Sequence, residues 1–163
     1  MLSKPISYKK GFKYQLESDG YFLMLPEEPG DSIFNYNRNL EIRYFTEGTF
    51  KNDPRCVSCG PFLSLWPNGR VCIYQGYAWD GPSGPAFDTE DFMVPSMVHD
   101  AIYQLMRNGA LPLDPYREIA DEMMYQMCKE RGMCGARAWW CKRGVRRFGK
   151  TAASVKRTIY TAP

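Results

Sequence analysis

Polar and apolar positions change period once along this chain. Up to about Tyr77 they alternate with the two-residue period of a half-buried strand. FKYQLES and YFLML show it on either side of Asp19-Gly20, a turn signal. LEIRYF follows and ends at Glu47-Gly48, and LPEEPGDS reads as a loop. FLSLW and RVCIYQGY flank Pro67-Asn68-Gly69, where Asn-Gly is a strong hairpin cue. The pattern predicts an antiparallel sheet of four to six strands between Phe12 and Tyr77.

Further along, the spacing becomes three and four, the mark of a helix with one apolar face. Pro95-Ser96 opens a predicted helix to about Met106, with Val98, Ile102 and Leu105 or Met106 as its stripe and Asn108-Gly109 as its end. Asp114 then reads as an N-cap with Pro115 at the first helical position. That second helix carries Ile119, Met123 and Met127, with Met124 also assigned to the core, and stops at Gly132. A third is predicted from about Gly135 to Arg147, where Gly149 breaks the pattern. Strands followed by helices imply an α+β fold, an N-terminal antiparallel β-sheet followed by a three-helix C-terminal half. The chain is expected to be one domain: 1–77 mostly β, 78–92 a glycine-rich acidic loop, 93–150 helical, 151–163 a tail.

Composition adds three constraints. At 44% apolar and 15% aromatic residues the chain can build a core. No apolar run is long enough for a transmembrane helix and no signal-peptide pattern opens the chain, so host cytoplasm or virion is the expected location. The net charge of +3 conceals an asymmetry: Glu122 to Pro163 holds ten Lys/Arg and two Glu, and the preceding residues are net acidic. Six cysteines include one CxxC, Cys56-Val57-Ser58-Cys59, without the second pair a zinc site usually needs; free thiols are the default expectation.

The chemistry concentrates around the single histidine, in VPSMVHDAIYQL. His99 and Tyr103 stand four apart and share a helix face; Asp100 lies about a hundred degrees round. In the next helix Asp121 interrupts an otherwise apolar surface of Ile119, Met123 and Met124. A short connection makes the two helices antiparallel neighbours, which lets Asp121 reach His99 or Tyr103. A carboxylate on one ring nitrogen fixes the tautomer and leaves the other to take a proton. Upstream, YAWDGPSGPAFDTEDF delivers Asp80, Asp88, Glu90 and Asp91, with the last three expected to be a solvated charge cluster at a helix N-terminus. The bland alternative is a histidine that hydrogen-bonds Asp121 inside a packed helix pair.

WDGPSGPAF, FMVPSMVHDAIY and ADEMMY resemble the active-site segments of the phospholipase A2 family, over Trp79 to Tyr125. The resemblance implies His99 as base, Asp121 as its orienter and Tyr103 as supporting residue. It further implies Asp100 and the Asp80-Gly81 loop, with the backbone up to Gly84, as ligands for calcium. A longer string, from about Leu65 to Gly149, resembles an uncharacterised family of bacteriophage and prophage proteins, which implies a phage origin and no activity. Two functions follow as expectations. One is a phage-encoded, calcium-dependent ester hydrolase acting on phospholipid. The other is a non-enzymatic virion or tail structural or accessory protein whose His99–Asp121 pair only packs helices. Trp139-Trp140 point in two directions around the third helix, so one ring is expected to be exposed. With Arg143, Arg146 and Arg147 they form a candidate contact for a phospholipid surface or a virion protein, ranked ahead of nucleic acid.

Overall fold

The computed structural model describes residues 8–9, 13–17, 20–25, 43–45, 56–81 and 89–154. The loop LPEEPGDS after Leu25, the turn at Glu47-Gly48, Asp88 and the end of the tail lie outside them. The described strands are β1 (Tyr8–Lys9), β2 (Tyr14–Leu16), β3 (Gly20–Met24), β4 (Arg43–Phe45), β5 (Ser58–Cys59), β6 (Leu63–Leu65), β7 (Arg70–Ile73) and β8 (Ala78–Trp79). The helices are α1 (Glu90–Arg107), α2 (Leu113–Glu130) and α3 (Gly135–Ser154). The α+β class and its order, antiparallel strands first and three helices after, are as the pattern implies.

The strands form two antiparallel sheets rather than one: β1-β2-β8 and β4-β3-β7-β6-β5. The segments on either side of Asp19-Gly20 therefore do not pair with each other. β2 joins β1 and β8, while β3 joins β4 and β7. Gly20 has a packing reason instead of a hairpin reason: a Cβ there would stand 2.3 Å from the Ile73 carbonyl oxygen. The Pro67-Asn68-Gly69 turn does close a hairpin, with Leu63 opposite Ile73 and Leu65 opposite Val71. Gly69 has φ +76°, a region that favours glycine, and its carbonyl accepts from the Leu25 amide at 2.7 Å.

One face of the larger sheet places Leu23, Leu63, Leu65, Val71 and Ile73 in the main core with Met93, Val94, Met97, Val98, Ala101, Ile102 and Leu105 of α1. The opposite face buries Ser64, Cys72 and Tyr74, with a hydroxyl–hydroxyl bond of 2.8 Å between Ser64 and Tyr74. A second core of Phe92, Met124, Cys128, Met133, Ala138 and Cys141 lies among the three helices. α1 is thus central, buried along Phe92–His99 and again over Ala101–Tyr103.

That position explains why α1 begins five residues before Pro95-Ser96. Pro95 forfeits a backbone bond inside the helix, a cost of about 3 kcal/mol. Burying Phe92, Met93 and Val94, each at most 3% exposed, returns roughly 1.5–3 kcal/mol apiece. Part of the expected glycine-rich loop is therefore ordered structure: Ala78–Trp79 is strand, and the helix starts at Glu90. Glu90 and Asp91 do occupy the first turn of α1; Asp91 pairs with Arg137 at 3.6 Å and so is not simply solvated. In α2, Asp114 keeps extended backbone (φ −104°, ψ 130°), so regular helix runs from Pro115 as anticipated. Gly132, φ +95°, follows its end.

α3 does not stop at Gly149. It continues to Ser154 and buries Ala153 in the main core. Glycine inside a helix costs about 0.5–1 kcal/mol. Here it lets Tyr103 approach, because a Cβ on Gly149 would lie 2.5 Å from the Tyr103 hydroxyl. Trp139 and Trp140 are both about half exposed, not one of the two. The helix buries only a narrow strip, Ala138, Cys141, Gly149 and Ala153, among its described residues, and both rings fall outside it. No helix among the described residues is long and apolar enough to cross a membrane.

Candidate active site

His99 is placed by α1, and the next turn brings Tyr103 against it, ring centroids 4.0 Å apart. α2 packs alongside and inserts Asp121, which is completely buried. His99 Nε2 lies 2.9 Å from Asp121 Oδ1, and the Tyr103 hydroxyl donates to that same oxygen at 2.7 Å. The three residues that the sequence brings forward as catalytic do meet. With a carboxylate as acceptor, Nε2 carries the proton, so the lone pair of a neutral ring sits on Nδ1. Nδ1 faces Asp100 Oδ1 at 3.7 Å, too far for a hydrogen bond, and the Asp100 side chain is 31% exposed. The nitrogen free to take a proton therefore points toward the partly open side of α1.

Burial by itself pushes the His99 pKa down. The carboxylates of Asp100 and Asp121 outweigh it, and the net shift is upward. Tyr103 is also shifted upward, by burial first and then by the charge and hydrogen bond of Asp121. Its phenol keeps its proton and serves as a donor.

Two partners of this network are not named by the pattern reading. Asp121 Oδ2 makes no hydrogen bond among the described residues, and its nearest cation is Arg117, four residues earlier on α2, with Nη1 at 3.9 Å. Arg117 also donates to the Arg146 carbonyl at 3.2 Å, tying α2 to α3. The four-residue spacing in PYREIAD carries that signal. Gly149 is the other, and nothing local marks it: its role depends on how closely α3 crosses Tyr103.

The candidate metal residues are less assembled. β8 is fastened to α1 one turn before His99, where Trp79 Nε1 donates to Ser96 Oγ at 3.1 Å and Ser96 Oγ to the Met93 carbonyl at 2.9 Å. Asp80 follows directly and is exposed. Gly81 is buried, φ +69°, with the Tyr14 ring 2.5 Å from where a Cβ would stand, so packing alone accounts for this glycine. Residues 82–84, which complete the expected ligand loop, lie outside the described residues. Among the described residues no group of three or more His, Cys, Asp or Glu is arranged to hold a metal ion.

Of the cysteines, Cys56 is disulfide-bonded, which departs from the free-thiol expectation and removes it as a zinc ligand. Cys72, Cys128, Cys134 and Cys141 are free. Burial pushes the Cys128 thiol up to about 12, so it is an inert core residue. No family model, curated protein or solved structure matches the chain.

Proposed function

We propose that the chain is a hydrolase in which His99 is general base toward an ester, with a phospholipid acyl ester as the substrate class. The supporting observation is the division of labour on one imidazole. Nε2 is held by Asp121, while Nδ1 makes no hydrogen bond among the described residues and faces partly exposed Asp100 at 3.7 Å. In the step this geometry suits, water gives a proton to Nδ1 as its oxygen attacks the ester carbonyl. The tetrahedral intermediate then collapses, the ester C–O bond breaks, and the departing alkoxide recovers that proton. Asp121 stabilises the imidazolium between the two events, and Tyr103 holds Asp121 in place.

Calcium belongs to this proposal through the resemblance, with partly exposed Asp100 and exposed Asp80 as its carboxylates. A hard cation wants about six to eight oxygen ligands. The described residues do not assemble such a set, so no step above uses it. The experiment is fatty-acid release from mixed phospholipid vesicles by wild type and His99→Ala, with calcium and with chelator. Release that requires His99 supports the reading, and equal release by both proteins overturns it.

A second reading has its own observation. The network is buried and reaches all three helices, since Gly149 of α3 lies against Tyr103. In that reading the chain is a non-enzymatic virion or tail component, and His99→Ala costs stability while removing no activity.

A further inference from the structure

The outer face of α3 carries a surface that the catalytic network does not use. Trp139 is 52% exposed, Trp140 49% and Phe148 73%. With Arg143, Gly144 and Arg147 they line a groove of about 780 Å³ on this helix. Arg143, Arg147 and Lys150 are exposed on the same helix, and the sequence has no Asp or Glu from Arg131 onward. On α3, Arg137 pairs with Asp91, Lys142 with Glu122 and Arg146 with Glu118 at 3.6 Å, whereas Arg143, Arg147 and Lys150 make no ion pair among the described residues. From Trp139 to Lys150 the helix is about 17 Å long. Rings and cations share one side of it because its opposite strip is committed to the core.

We infer that this face docks the protein on an anionic lipid bilayer, with α3 lying in the plane of the headgroups. Trp and Phe rings favour the boundary between headgroup and acyl chain, and guanidinium groups reach back to lipid phosphate. The Arg143 guanidinium sits 5.0 Å from the Trp139 ring centroid, so that ring is already occupied by a cation. Stacking a nucleobase there would need the ring face to be cleared first, whereas at a bilayer the pair works as it stands. The charge of the face selects anionic headgroups over zwitterionic ones. The inference rests on the ester-hydrolase reading only for its consequence. Gly149, next to Phe148, lies against Tyr103, so docking through α3 brings the membrane to the helix that closes the His99 network.

The test uses the full chain and vesicles of ether-linked lipids, which contain no acyl ester. Binding is read by cosedimentation and by the blue shift of tryptophan emission. The chain is expected to bind vesicles containing phosphatidylglycerol, not pure phosphatidylcholine, and to release them as salt rises. Arg143→Gln with Arg147→Gln is expected to weaken binding by roughly tenfold or more. Trp140→Ala with Phe148→Ala should abolish the emission shift; these surface changes leave circular dichroism unaltered. No binding to anionic vesicles overturns the inference, as does binding indifferent to these four residues or tighter binding to a single-stranded oligonucleotide in the same buffer. Binding to ether lipid without hydrolysis of natural lipid keeps the docking face and removes the catalytic reading. Hydrolysis of a dispersed short-chain ester without vesicle binding does the reverse.

Discussion

Asp121→Ala is the most informative single change, because one buried oxygen holds two donors. Its Oδ1 accepts from His99 at 2.9 Å and from Tyr103 at 2.7 Å. Each bond to a charged group is worth about 1.5–3 kcal/mol. Removal also strands two donors in sites only 6% and 2% exposed. Against this stands the relief of a buried carboxylate whose second oxygen has no hydrogen bond. Removing one partner of a buried charged pair costs about 3–5 kcal/mol, and that is the expected net loss. For a domain of this size it is a fall in Tm of roughly 6–20 °C. Asp121→Asn keeps an acceptor for both donors and places its amide where no bond existed, so about 1–2 kcal/mol is expected. Urea denaturation followed by circular dichroism gives both values. The sole histidine gives a second readout, since its proton NMR titration has one imidazole to report. Without the Asp121 charge, one of the two carboxylates that hold it up is gone, and the His99 pKa falls. If His99 is a base, Asp121→Asn also lowers turnover by on the order of a thousandfold or more. An Asp121→Ala protein within about 0.5 kcal/mol of wild type, with an unmoved His99 titration, would refute the whole account of the network.

Other expectations follow from the same contacts. Gly149→Ala should destabilise by about 1–3 kcal/mol despite its better helix propensity, because its Cβ meets the Tyr103 hydroxyl; in a Tyr103→Phe background the penalty shrinks, as a double-mutant denaturation cycle will show. Stability and catalysis should respond to pH with opposite signs. His99 has a raised folded-state pKa, so its stabilisation is complete below the unfolded value near 6.5 and is lost as pH rises through the folded value. Denaturation midpoints measured across that window should fall in wild type and stay flat in His99→Asn, while the rate of a base-catalysed reaction rises through the same window. Arg117→Gln should raise the NMR-measured His99 pKa further, by removing the cation nearest Asp121, with partial return in Arg117→Lys.

The parts legible in the sequence were those set by periodicity and by short spacing. Alternation to Tyr77 and three-four spacing beyond position 92 determine strands then helices, since a residue's face follows from its neighbours on the same element. The Asn68-Gly69 hairpin is local for the same reason. His99 and Tyr103 share a face by helix geometry, and an aspartate inside the apolar stripe of the next helix marks Asp121 as their partner. Tertiary structure decided what rests on contacts distant in the chain. It split the strands into two sheets by giving β2 to β8 and β3 to β7. It carried α1 back through Pro95 because the surrounding core repays the lost hydrogen bond, and carried α3 through Gly149 because Tyr103 needs the space. It also placed both tryptophans outside, since only a narrow strip of α3 meets the core. Local propensity names the candidates for the site, whereas burial and the crossing of helices fix which nitrogen of His99 is held and which is left open.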